Sequence, residues 1–263
     1  MDINQLFSLQ GRTAIITGGS RGIGRMIAEG YLAAGARVYI SARKAAECAQ
    51  TVQELSHLGH IVALPADVST LEGAKALVDA YSQHESKLDI LVNNAGAAWG
   101  EAYDTFPESG WDKVVDLNMK TPFFLTQALT PLLRKVAAEG KHLAKVIQIA
   151  SIDGVSVNPW ETYSYAASKA GLIHLTKRMA LRLAPEGIIV SAIAPGPFAS
   201  NMNKAARDEA DEVAARTPAG RIGNPEDMAG AAIYLASNAG DYVVGSTLIV
   251  DGGCAWGRAG APS

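Results

Sequence analysis

The chain is poor in cysteine, in histidine, in net basic charge and in long apolar runs. Two cysteines among 263 residues, Cys48 and Cys254, build no disulfide framework and match no zinc-ligand spacing. Of five histidines only His57 and His60 are close in sequence, and no thiol or acidic cluster accompanies them. No metal site is therefore expected. The net charge is -3 and the isoelectric point about 6.0, without the basic excess of a nucleic-acid binder. No apolar run approaches the roughly 18–20 residues that span a bilayer. The stretch from Met1 to Gln10 lacks the basic start and apolar segment of a signal peptide. These absences point to a cytoplasmic protein that binds neither membrane nor nucleic acid.

What is present is 48% hydrophobic residues, enough for a sizeable core, and 26 glycines. Short β-branched runs alternate with longer amphipathic stretches. Strands are expected over 13–17, 37–42, 61–64, 88–93, 146–150, 188–193 and 247–250. Helices are expected over 22–34, 44–58, 71–84, 109–138, 163–183 and 225–236, with Pro122 and Pro131 as points of bending in the long one. That rhythm implies βαβ units. The expected fold is a doubly wound, Rossmann-type seven-stranded parallel sheet with helices on both faces, in one domain over 1–263. Residues 195–218 break the rhythm with a polar segment just after a strand end. Two readings stay open there, a solvated helix face or a substrate lid, because ligands bind at that edge of open α/β sheets. The tail over 254–263 is a frayed end or an oligomer contact.

Thr17-Gly-Gly-Ser-Arg-Gly-Ile-Gly24 joins the first strand to the first long helix. Gly18, Gly22 and Gly24 let the backbone turn and come close to a diphosphate. The helix start offers it unpaired N–H groups, with Ser20, Arg21 and Ile23 beside them. The second strand ends Val38-Tyr-Ile-Ser-Ala-Arg43, with no acid to accept the ribose hydroxyls of NAD. Arg43 and Arg21 instead suit a 2′-phosphate, so NADP(H) is the expected cofactor.

Tyr165 and Lys169 are four apart on an expected helix and share one face. Carbonyl reduction needs a proton donor as well as a hydride. An ammonium beside a phenol lowers a pKa that is otherwise about 10. Tyr163 has Ala167 at the same spacing, and Ser164 points elsewhere on the helix, so neither competes. Ser151 ends the fifth strand, where its hydroxyl can hydrogen-bond a substrate oxygen. Ser156 lies beyond Gly154, too close to the tyrosine. Asn118 is a poor helix former within a long helical stretch, which mildly favours a special role.

Taken in order, Thr17 to Gly24, Asp67-Val68, Asn93 to Gly96, Asn118, Ser151, Tyr165-x-x-x-Lys169, Pro195-Gly196 and Asp251 to Gly253 resemble the short-chain dehydrogenase/reductase family. The likeness runs from about Leu9 to Gly253. It implies that Asp67 and Val68 border the adenine. It places Asn93, Asn94, Ala95 and Gly96 on the ribose side, and Pro195, Gly196 and Phe198 at the cofactor. It also implies a catalytic tetrad of Asn118, Ser151, Tyr165 and Lys169, with Asn118 holding a water linked to the lysine. The family usually spaces the serine about thirteen residues before the tyrosine; here the gap is fourteen, so one extra residue is expected in the loop. Within the family the chain looks most like NADP-dependent 3-oxoacyl reductases, in particular the branch serving bacterial rhamnolipid synthesis. The pocket candidates Ala97, Ala98, Trp99, Ile152, Val157, Trp160, Pro197, Phe198 and Met202 are largely apolar. They suit an acyl chain or cyclic ketone better than a sugar. Trp99, Ile152, Trp160 and Met202 are the expected substrate contacts. The alternatives are an alcohol, polyol or steroid dehydrogenase of the same family, and a non-catalytic dinucleotide-binding regulator, which would have no need of the tetrad. The resemblance further implies a homo-oligomer, tetramer or dimer.

Overall fold

The structure, a computed structural model, describes residues 1–200 and 202–257. The part of the tail over 258–263 lies outside the described residues. Among the described residues there are seven strands: β1 (Thr13–Thr17), β2 (Arg37–Ser41), β3 (Ile61–Ala63), β4 (Ile90–Asn93), β5 (Ala144–Ile149), β6 (Ile188–Pro195) and β7 (Thr247–Val250). All pair in parallel, in the order β3-β2-β1-β4-β5-β6-β7. The helices are α1 (Ile3–Phe7), α2 (Gly22–Ala33), α3 (Ala45–Leu55), α4 (Leu71–Ser82), α5 (Glu108–Val115), α6 (Thr121–Ala138), α7 (Tyr163–Leu183), α8 (Lys204–Asp208), α9 (Ala210–Arg216) and α10 (Pro225–Ala236).

Side chains alternate across each strand, and here each face is covered. Ile16, Val38, Ile40, Ile90, Val92 and Ile147 join one buried layer with Ile27 of α2 and Met228 and Leu235 of α10. Ile15, Tyr39, Leu91 and Val146 join the other, with Leu77 of α4, Leu125, Leu129 and Leu133 of α6, and Met179 of α7. Burial on both faces explains why the strands appear in sequence as unbroken apolar runs. After β1 the chain winds outward to β3, then returns to place β4 on the other side of β1. The strand order therefore reverses between β1 and β4, and a crevice opens at their C-terminal ends.

The long helix expected over 109–138 is two helices. Between α5 and α6 lies a five-residue π turn, Asp116–Lys120. The irregularity is there rather than at the prolines: Pro122 sits in the first turn of α6, and α6 continues through Pro131. The polar segment after β6 forms the two short helices α8 and α9. Helix α1, capped by Asp2 through the backbone N–H groups of Asn4 and Gln5, was not anticipated. No helix among the described residues is long and apolar enough to cross a membrane.

Candidate active site

The glycine loop leaves β1 at Thr17 and enters α2 at Gly22. Gly18 (φ 65°) and Gly22 (φ 53°) adopt the left-handed conformation that favours glycine. A Cβ on Gly24 would fall 2.2 Å from the Gly18 carbonyl oxygen, so helix and loop touch without room for a side chain. Asn94 fixes this turn from below. Its Nδ2 donates to Thr17 O (2.9 Å) and Gly18 O (3.2 Å), and Thr17 Oγ1 accepts from the N–H groups of Asn94 and Ala95 (both 3.0 Å). Asn94 is thus occupied in holding the loop, with Ala95 and Gly96 continuing from it along the crevice. Ser20 is buried, its carbonyl accepting from Thr51. This bare cradle at a helix start fits a dinucleotide diphosphate.

Beyond the loop stand the charged residues. Arg21 Nη1 lies 3.3 Å from Glu47, and Lys44 Nζ lies 2.7 Å from the same carboxylate. Lys44 and Glu47 were not singled out from the sequence. Asp67 accepts from the Ser69 hydroxyl and N–H at 2.7 and 3.1 Å. Chiefly through these bonds, with Arg43 contributing, it is held below the usual carboxylate range. Val68 is buried, and its carbonyl accepts from Thr121. At the far end, Gly196 N donates to Val250 O (2.9 Å), and a Cβ on Gly196 would lie 2.5 Å from that of Asp251. Phe198 turns its ring inward against Gly223 and is buried.

The four expected catalytic residues meet at the ends of β4 and β5. Lys169 is buried in α7, and its Nζ donates to Ile149 O (2.7 Å) while lying 5.6 Å from the centre of the Tyr165 ring. Ser151 is the polar neighbour that lowers the pKa of the Tyr165 phenol. Asn118, in the π turn, accepts from Ala97 N (2.8 Å) and donates to Ala97 O (2.9 Å) and Ser168 Oγ (3.0 Å). A Cβ on Gly96 would sit 3.1 Å from Asn118 Oδ1 and 3.7 Å from Lys169 Nζ, so the absent side chain leaves those two groups facing a common space. Such π turns recur at functional sites.

The electrostatics differ from the simple expectation. Burial pushes the Tyr165 phenol up to about 12; Ser151 pulls it down, and Asp153 pushes it up again. Burial brings the Lys169 ammonium down to about 8. Lys169 bonds a carbonyl rather than the phenol oxygen, so desolvation outweighs the cation's pull. The phenol is protonated at neutral pH, the state a proton donor needs.

Asp153 and Gly154 were missed in the sequence. They form the short 3-10 turn Ile152–Gly154, where Asp153 N donates to Ser151 Oγ (3.1 Å). Burial raises the Asp153 carboxyl. The expected substrate residues differ in exposure. Ile152 is half-buried on this turn, Trp160 is 70% exposed and Met202 50% exposed. Trp99 lies flat on Gly110 of α5 with Lys113 Nζ 5.3 Å from its ring centre. Among the described residues no group of three or more His, Cys, Asp or Glu could hold a metal.

A Rossmann-type sheet whose switch-point crevice carries a glycine cradle and a Ser–Tyr–Lys cluster has the form of a dinucleotide-dependent oxidoreductase. A family model described as enoyl-(acyl carrier protein) reductase matches residues 18–255. The rhamnolipids biosynthesis 3-oxoacyl-[acyl-carrier-protein] reductase of Pseudomonas aeruginosa is 48% identical, over 94% of this chain and 97% of the relative. The 2-dehydro-3-deoxy-D-gluconate 5-dehydrogenase of Dickeya dadantii is 39% identical, over 94% and 96%. The solved Pseudomonas aeruginosa RhlG/NADP active-site complex superposes with a TM-score of 0.92 at 46% identity, over 95% of this chain and 99% of that one. The chain belongs to the short-chain dehydrogenase/reductase family and is an oxidoreductase of it.

Proposed function

We propose that this enzyme is an NADP(H)-dependent carbonyl reductase whose preferred substrates are 3-oxoacyl thioesters. The observation that carries the reading is the meeting of Ser151, Tyr165, Lys169 and Asn118 beside the glycine cradle. Gly18, Ser20, Arg21, Gly22, Ile23 and Gly24 hold the diphosphate and ribose end. Arg43, Asp67 and Val68 flank the adenosine, and Asn94, Ala95, Gly96, Pro195, Gly196 and Phe198 border the nicotinamide half. When bound, the cofactor supplies or accepts a hydride at the carbonyl carbon. Ser151 orients the carbonyl oxygen, and Tyr165 gives that oxygen its proton as negative charge develops there. Lys169 reprotonates the site from the space it shares with Asn118, and fixes the ribose.

Asp153 weighs on substrate class. Its charge is near enough to raise the Tyr165 phenol. An ionised carboxylate there disfavours a charged group at the reacting end of a substrate, as in the sugar acids named for several relatives, whereas the 3-oxoacyl end of a thioester carries no charge. Helices α8 and α9, after β6, serve as the lid. Ser200 packs over the glycine loop, its Cβ 3.2 Å from where a Cβ on Gly22 would be. The exposed apolar side chains Trp111, Phe123 and Leu181, on α5, α6 and α7, support a homo-oligomer; one-domain subunits and a cytoplasmic setting belong to the same proposal.

The test follows NADPH and NADH oxidation with short-, medium- and long-chain 3-oxoacyl thioesters, cyclic ketones and keto sugar acids. NADPH-dependent turnover highest on the thioesters is expected. Turnover confined to sugar acids overturns the substrate assignment and leaves the tetrad chemistry intact.

A further inference from the structure

Glu47 stands in the first turn of α3, just past the β2–α3 loop, where a carboxylate is favoured by the helix start. Each of its oxygens faces a cation from a different loop. Oε2 meets Arg21, the last residue of the glycine loop before α2, at 3.3 Å. Oε1 meets Lys44, from the β2–α3 loop, at 2.7 Å. The two cations are open to solvent, with side chains 56% and 71% exposed, while the carboxylate between them is 34% exposed. Arg43 stands beside Lys44 in the chain and acts on Asp67. Arg21, Arg43 and Lys44 thus surround the region where the end of β2 would meet an adenosine ribose, and one carboxylate takes up two of them.

We propose that Glu47 is a built-in competitor for the adenosine 2′-phosphate, holding Arg21 and Lys44 and so moderating the preference for NADP(H) over NAD(H). The inference rests on the cofactor assignment above. Arginine and lysine that bind a carboxylate also bind a phosphate, and a phosphomonoester near neutral pH carries more charge and more acceptor oxygens than a carboxylate. The phosphate therefore displaces Glu47 from both cations. A ribose hydroxyl, uncharged, does not. NADP(H) gains Arg21 and Lys44 only by breaking two ion pairs, and NAD(H) is indifferent to them. Exposed pairs of this kind are weak. Glu47 moderates the preference without abolishing it, and also limits the repulsion among three neighbouring cations in the free enzyme.

The experiment titrates the full-length protein by calorimetry with adenosine 2′,5′-bisphosphate, which carries the 2′-phosphate, and with 5′-AMP, which lacks it. Glu47→Gln and, as a second form, Glu47→Ala are compared with the parent. Both are expected to bind the bisphosphate about three- to tenfold more tightly, the scale of one or two exposed ion pairs, with 5′-AMP unchanged within about twofold. Adding Arg21→Ala and Lys44→Ala to Glu47→Gln should remove the gain. Unchanged or weaker bisphosphate binding in both variants overturns the proposal, as does an equal gain for 5′-AMP. The parent titration tests the cofactor assignment separately. A parent that binds both probes alike refutes the NADP(H) preference. If the variants then gain for the bisphosphate alone, Glu47 as competitor stands; if they do not, both readings fall.

Discussion

Burial moves the Tyr165 and Lys169 pKa values in opposite directions, favouring the neutral form of each, and the pair sets the pH behaviour of the enzyme. A phenol held near 12 is a competent proton donor across the neutral range, whereas alcohol oxidation requires the phenolate. As pH increases from neutral into the alkaline range, alcohol oxidation is therefore expected to rise with the phenolate fraction, while carbonyl reduction loses nothing to titration of the phenol until pH nears 12. Initial rates in both directions across that range check this. Tyr165→Phe removes the donor and should lower kcat about a hundred- to ten-thousandfold, with cofactor binding by fluorescence unchanged; full turnover in this variant would sink the mechanism. Lys169 carries a linkage signature. In the folded protein it titrates at about 8, below the 10.5 of an unburied lysine. Below pH 8 the lysine is protonated in both states, and burial of the charge is fully felt. Above the unfolded value it is neutral in both, and the penalty is gone. Lys169→Met is therefore expected to be more stable than the parent near pH 7, by about 3 kcal/mol at most, with the lost bond to Ile149 O reducing the gain. That advantage should shrink as pH rises from 8 to 10.5, as urea unfolding at several pH values would reveal. Tyr165 and Lys169 were legible in the sequence because both lie on one helix at a spacing that fixes their shared face. Lys44, Glu47 and Asp153 were not. Their significance comes from what they face across loops, and no local period records that.

The π turn between α5 and α6 shows how an element can be set by contacts outside itself. Proline is the visible helix-breaking signal, so the bend was expected at Pro122 or Pro131. The widening occurs instead at Asn118, whose amide is spent on both backbone groups of Ala97 and on Ser168. Those partners come from the segment after β4 and from α7, remote in sequence, so the irregularity had no local trace beyond the presence of an asparagine. Asn118→Leu should leave the Ala97 N–H and carbonyl unpaired in a half-buried site. A loss of roughly 2–4 kcal/mol in urea unfolding is expected, with a fall in kcat. Gly154 plays the corresponding part on the other side of the pocket. A Cβ there would lie 2.6 Å from the Lys169 carbonyl carbon and 2.8 Å from Ala170 N, both backbone atoms of α7. Gly154→Ala must push the Ser151–Asp153 turn away from the helix that carries Tyr165. Misplacement of this kind lowers kcat by about ten- to a hundredfold, while the glycine cradle, remote from the turn, keeps its affinity for the cofactor. Stopped-flow turnover and cofactor titration of the same preparation separate the two effects. A loss of cofactor affinity equal to the loss of kcat would contradict the assignment.

Across the whole molecule the parallel sheet has two chemically different edges. The C-terminal ends of β1, β4, β5 and β6 carry the glycine cradle, Asn94, Ser151 and Pro195. The N-terminal ends carry a buried polar network with no part in the chemistry. Asp89, just before β4, is 1% exposed. It accepts from Thr13 N (2.8 Å) and Thr13 Oγ1 (2.9 Å) at the start of β1, and lies 2.6 Å from His142 Nε2 on the approach to β5. Tyr81 of α4 donates to the same threonine hydroxyl at 2.9 Å. Arg12 donates to the Ala236 carbonyl, and burial lowers its pKa while Asp89 and Asp241 oppose the shift. Lys145, 1% exposed at the start of β5, pairs with Asp241 at 2.6 Å. The parallel, doubly wound sheet was legible in the sequence because short apolar runs alternate with amphipathic stretches of helix length, whereas the strand order was not. Nor was this network, since its members are single polar residues at strand starts, alike in sequence to ordinary surface charges. The separation of the edges makes stability and catalysis independently adjustable. Asp89→Ala removes the acceptor of three groups and one counter-charge to Arg12. It is expected to lower unfolding free energy by about 3–5 kcal/mol, read from the urea midpoint. The kcat of the protein that remains folded should stay within about twofold of the parent, because a change at the strand starts does not reach Ser151, Tyr165 or the glycine cradle except through a sheet packed on both faces. A fall in kcat at full foldedness, measured by circular dichroism on the assayed sample, would show instead that the two edges are mechanically coupled through β4 and β5.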